Sequence, residues 1–139
     1  MKIQLKRKNK AYHFEAENED GATLQLDGTP AIGGENKGFR PMQLLLAGMG
    51  GCSAIDIGII LNKQKQVIED FRIEIDAERE SGKEPAVWEN AHLIFYLKGA
   101  IDPDKAKRAV DLSMEKYCSV AETLRRAGAK ITWEVKLNT

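Results

Sequence analysis

Between Met42 and Leu61 the chain carries a single charge, Asp56, in the run MQLLLAGMGGCSAIDIGIIL. A stretch this long and apolar must first be weighed as a membrane span. Gly48, Gly50, Gly51 and Gly58 lower its helix propensity, Asp56 is costly in lipid, and no second apolar segment accompanies it. The expected solution is a helix buried in protein, entered at Pro41 and left through Asn62, Lys63 and Lys65, where cations suit the C-terminal dipole. A helix apolar on nearly every face needs cover all round. Gly50, Ala54 and Gly58 form a smooth stripe, with Ala47 and Gly51 beside it, that admits another backbone closely. A chain of 139 residues has few other elements with which to wrap such a helix. A second copy is therefore expected to supply the cover.

Composition bounds the rest. The chain is long enough for a real core and reads as one domain, residues 1–139, with Lys and Arg balancing Asp and Glu. That balance argues against a dedicated nucleic-acid or anionic-membrane surface. The basic start, KIQLKRKNK, reads as an edge strand whose lysines discourage edge-to-edge pairing. Charged and apolar residues alternate after Met1 where a secretory leader would be apolar, so a cytoplasmic location is expected. In that compartment two cysteines point to transient or catalytic thiol chemistry rather than a structural disulfide.

The periodicity predicts short strands over 2–8, 11–17 and 22–27 and a glycine-rich loop before the apolar helix. Next come alternating strands through Phe71–Ala77 and Ala91–Leu97, joined across 81–85. Asp102 and Pro103 start an amphipathic helix whose face holds Ala106, Ala109, Val110, Ser113 and Tyr117. Ser119 with Glu122 reads as a capping box for a short helix that Gly128 stops, and Ile131–Leu137 is a last strand. The fold class is α+β, in the order βββ-α-ββ-αα-β.

The candidate chemistry lies in Cys52 and Cys118. Small residues around Cys52 leave room for a ligand above the sulfur and equally allow close helix packing, so composition leaves its role open. Cys118 precedes the Ser119 helix start, where the dipole favours thiolate or an anionic leaving sulfur, and a structural reading stands beside that one. Asp56, one turn beyond Cys52, disfavours a neighbouring thiolate unless Arg40 or Arg7 offsets it; a hydrogen-bonded or ion-paired carboxylate is the alternative. His13 and His92 have no ligand spacing with the cysteines and read as strand residues, so no metal and no cofactor are expected. The glycines of AIGGENKG lack the pattern of a phosphate loop.

FRPMQLLLAGMGGCSAIDIGIILNK followed by YCSVAETLRRAG, in this order of elements, closely resembles the OsmC/Ohr family of organic hydroperoxide reductases. The resemblance implies an α+β dimer of intertwined chains with long central helices buried between sheets. It implies that Cys52 is the peroxidatic cysteine, that Cys118 resolves its sulfenic acid to a disulfide, and that a dithiol such as a lipoylated or thioredoxin-like protein restores the thiols. The family also uses an arginine paired with a glutamate. The glutamate's position after the helix-starting proline is Met42 here, Gln43 beside it is uncharged, and Arg40 or Arg7 is the candidate cation. A noncatalytic dimer that binds a small lipophilic molecule, or senses oxidant, is the second reading.

Overall fold

The computed structural model describes all residues, 1–139, and its contacts divide into two compact units, Met1–Leu46 and Ala47–Thr139. The first unit is an antiparallel meander of β1 (Gln4–Arg7), β2 (Phe14–Glu17) and β3 (Thr23–Leu26), with Gln4 opposite Glu17 and Phe14 opposite Leu26. The strands are shorter than the periodicity predicts because side chains intervene. Asn9 Oδ1 accepts the N–H groups of Ala11 and His13, turning the chain before β2. Buried Asp27 organises the loop after β3 by accepting from Gly28 at 2.7 Å and from Glu35 and Lys37 at 3.1 Å. Burial works against its charged form, but the three backbone donors, helped by His13, win and hold the carboxyl below the usual range.

The long helix α1 (Pro41–Lys63) begins with proline in its first turn. The Gln43 side chain reaches back to accept the Arg40 N–H at 3.0 Å, the return half of a capping box. In the second unit α1 buries one stripe, Met49, Ser53, Ile57 and Leu61, at helical spacing, with Gly50 beside it. Its other faces stay open in the single chain: Ile55 is 65% exposed and Ile59 50%. Length and hydropathy alone would let α1 cross a membrane.

The second sheet has the order β4 (Asp70–Arg79), β5 (Trp88–Lys98), β6 (Lys130–Leu137), with β4 and β5 antiparallel and β5 and β6 parallel. Alternation puts Ala91, Leu93, Phe95 and Leu97 of the central strand in the core. A parallel neighbour requires a crossover, here α2 (Pro103–Leu112), a π-helical turn (Ser113–Tyr117) and α3 (Ser119–Arg126). Asp102 caps α2 by accepting from Asp104 and Lys105. Ala106, Ala109, Val110, Met114, Ala121 and Leu124 face the core from this crossover.

Two local expectations are corrected. The helix does not run regularly to Tyr117: the π turn takes an extra residue and shifts the phase, so Ser113 and Met114 are buried while Tyr117 is exposed. Ser119 does not cap α3 either. Cys118 is the N-cap, with its sulfur accepting the Ala121 N–H, and Glu122 instead pairs with Arg125 and Arg126.

Candidate functional site

The α1 stripe and the segment around Cys118 bring the two thiols together. Gly50 lets α1 approach β4, since a Cβ there would stand 3.1 Å from Ile75 Cδ1. Cys52 follows two residues later on a neighbouring face and is half-buried. Its sulfur lies 4.0 Å from Ser119 Oγ, the residue after Cys118, and is near enough to the Cys118 thiol to influence its ionisation. Cys118 is 2% exposed; it donates to the Met49 carbonyl oxygen at 3.7 Å and accepts from Ala121 N–H at 3.4 Å. Both cysteines are free thiols.

Burial pushes the Cys118 thiol up to about 11; the Ala121 N–H opposes this, and the neighbouring Cys52 adds to it. The helix N-terminus that the sequence places beside Cys118 is therefore outweighed, because desolvation of a buried thiolate costs more than the Ala121 and Val120 N–H groups return. Of the two sulfurs, Cys52 is the one open to a substrate. Cys118 is a neutral thiol held next to it.

Asp56, one turn beyond Cys52, accepts from the Ser113 hydroxyl at 3.0 Å, so the hydrogen-bonded alternative describes it. Ser113 is wholly buried, and its carbonyl accepts the Cys118 N–H at 2.7 Å. Ser113, Ser119 and the Met49 carbonyl were not singled out as site groups in the sequence. Ser119 is discoverable from its place next to Cys118, whereas nothing local joins Ser113 to Asp56.

Arg40 belongs to the first unit, where its guanidinium donates to the Gly38 carbonyl at 3.1 Å and to Asn36 Oδ1. Arg7 lies on exposed β1. His13 bonds Gln25 at 2.6 Å, and His92 bonds Thr132 at 2.7 Å and Glu134 at 2.9 Å. A groove of about 390 Å³ runs between α1 and β4, lined by Ala47, Gly50, Gly51, Ala54, Phe71, Ile73 and Ile75.

The pattern of the family described as OsmC-like protein matches residues 34–134. Protein YhfA of Escherichia coli K12 is 38% identical over 115 residues, 82% of each chain. A hypothetical protein from Aquifex aeolicus VF5 superposes with a TM-score of 0.79 at 32% identity, over 99% of this chain and 97% of that one. The organic hydroperoxide resistance protein OhrB of Bacillus subtilis shares the fold, with a TM-score of 0.62 at 21% identity over 97% and 96% of the two chains. With both thiols inside the matched segment and a YhfA relative at this identity, the chain belongs to the OsmC/Ohr family of OsmC-like proteins.

Proposed function

We propose that this protein is a thiol peroxidase that reduces organic hydroperoxides. The observation that carries the reading is the juxtaposition of an accessible Cys52 thiol with the buried thiol of Cys118. Cys52 attacks the peroxide O–O bond, giving a Cys52 sulfenic acid and an alcohol. The Cys118 sulfur then attacks the sulfenic sulfur; the S–O bond breaks, water leaves with the Cys118 proton, and the disulfide forms. A dithiol, such as a lipoylated protein, takes up the disulfide by exchange and returns two thiols. Arg40 is the candidate cation for the departing alkoxide. The hydroperoxide-resistance name of the Bacillus relative supports the substrate class.

The working unit is a homodimer in this reading. The open apolar face of α1 at Ile55 and Ile59 and the groove beside Ala54 support a second copy as the cover.

Position 42 favours a second reading, a binding or oxidant-sensing dimer, because methionine supplies no carboxylate to orient an arginine. Stopped-flow oxidation of the reduced protein by cumene hydroperoxide and by hydrogen peroxide, followed by intact-mass analysis, separates the two. Rapid, saturable consumption of the organic peroxide with loss of two hydrogens from the protein is expected. Inert thiols would leave the binding module.

A further inference from the structure

Met49, Cys52 and Asp56 follow one another along α1 at spacings of three and four residues, so they lie on one face. Each reaches the segment from Ser113 to Ser119: the Met49 carbonyl accepts from Cys118, Cys52 adjoins Cys118 and Ser119, and Asp56 accepts from Ser113. The segment is a π-helical turn, and its closing bond is the 2.7 Å contact from the Cys118 N–H to the Ser113 carbonyl. Ser113 thus holds Asp56 with its side chain and Cys118 with its main chain.

Two costs are accepted at this point. Asp56 is the only charge between Met42 and Leu61, and a carboxylate in an otherwise apolar helix must be solvated or hydrogen-bonded. A π turn is rare, and such turns recur where function requires one residue to be redirected. A purely structural helix contact would be served by an apolar residue at 56 without placing a carboxylate in an apolar helix. Resting on the peroxidase reading, we infer that Asp56 is a positioning residue: through the Ser113 hydroxyl it anchors the π turn and so holds the Cys118 sulfur in line for attack on the oxidised sulfur of Cys52. The anchor acts on disulfide closure, where Cys118 is the nucleophile. It leaves the first oxidation of Cys52 by hydroperoxide to other groups.

The test separates the two steps in the full-length protein. Sulfenic acid formation and disulfide closure are followed by stopped-flow fluorescence and quenched-flow mass analysis, with cumene hydroperoxide as oxidant, in wild type, Ser113→Ala, Asp56→Ala and Asp56→Asn. Ser113→Ala and Asp56→Ala should slow closure roughly ten- to a hundredfold, the range expected when a reacting atom loses its alignment. Asp56→Asn keeps an acceptor oxygen and should close at close to the wild-type rate, although its charge is gone. Closure at the wild-type rate in Ser113→Ala and Asp56→Ala, with circular dichroism showing native helix content, would overturn the anchor; so would slowing in Asp56→Asn equal to that in Asp56→Ala. Equilibration of the Cys52–Cys118 pair in glutathione redox buffers tests the same anchor without peroxide. The effective concentration of the thiols should drop about tenfold in Ser113→Ala, in keeping with lost orientation, and an unchanged value counts against the inference. Failure of Cys52 to react with any hydroperoxide would remove the peroxidase reading alone, since the glutathione measurement still decides the anchor.

Discussion

The Cys118 sulfur accepts the Ala121 N–H at 3.4 Å, so the candidate resolving thiol is also the N-cap of α3. Redox role and helix stability are therefore separable by choice of substitution. Cys118→Ser keeps a capping oxygen and should fold with near wild-type stability while forming no disulfide. Cys118→Ala removes the cap and should lose about 0.5–2 kcal/mol. Urea unfolding of the two reduced variants checks this, and equal stabilities would deny the sulfur a capping role.

The order of oxidation follows from exposure. One equivalent of organic hydroperoxide should oxidise Cys52 first, and the intramolecular disulfide should follow. Cys52→Ser should consume no peroxide, whereas Cys118→Ser should react once and then stop at sulfenic acid or overoxidise. A wild-type mass spectrum without the disulfide would take the resolving role from Cys118.

Burial pushes the Cys118 thiol up to about 11 from the 9.0 of an unburied thiol, as in the unfolded chain. A raised folded value means that the neutral thiol's contribution is fully present below the unfolded pKa and is lost as pH rises through the folded one. Between these values the unfolded chain binds fewer protons, so the reduced protein should lose stability on the order of 2–3 kcal/mol relative to Cys118→Ser. Disulfide closure should speed up over the same window as the thiolate fraction grows. Parallel pH profiles of the two proteins would rule out the effect.

Ile59 is half exposed on one chain, so its substitution reports on cover by a second copy. Ile59→Glu should convert a dimer to monomers by light scattering, and Ala54→Leu should weaken it by roughly 1–3 kcal/mol through overpacking. A folded wild-type monomer at micromolar concentration defeats this prediction.

Met42→Glu introduces the carboxylate that the resemblance implies after Pro41. If that contact orients Arg40, turnover of bulky hydroperoxides should rise by up to roughly a hundred- to a thousandfold, the worth of one preorganised electrostatic contact. The matching Arg40→Ala change should then abolish the gain. An unchanged rate in Met42→Glu would mean that another arrangement activates Cys52.

The order of elements was legible because it rests on local signals: alternation in Phe71–Ala77 and Ala91–Leu97, Asp102 before Pro103, and one long apolar run after Pro41. The two cysteines were legible as a pair through the family resemblance, since residues so far apart in the chain announce no contact. Local signals also misled. The Ser119–Glu122 spacing matches a capping box, but Ser119 is already the first helical residue of α3, and Cys118, with extended backbone just before it, takes the N-cap position. The π turn moved Tyr117 off the buried face, and a change of one residue per turn leaves no mark in composition or period. The reactivity of Cys118 was decided by tertiary structure alone. Position beside a helix start leaves an easily ionised thiol and a structural one both open; the cover of α1 and the core removes the water that a thiolate requires, and desolvation outweighs the helix terminus. What the sequence by itself determined was which elements form and which sulfurs are present; which sulfur meets the solvent, and which hydroxyl holds Asp56, depended on long-range packing that no local pattern encodes.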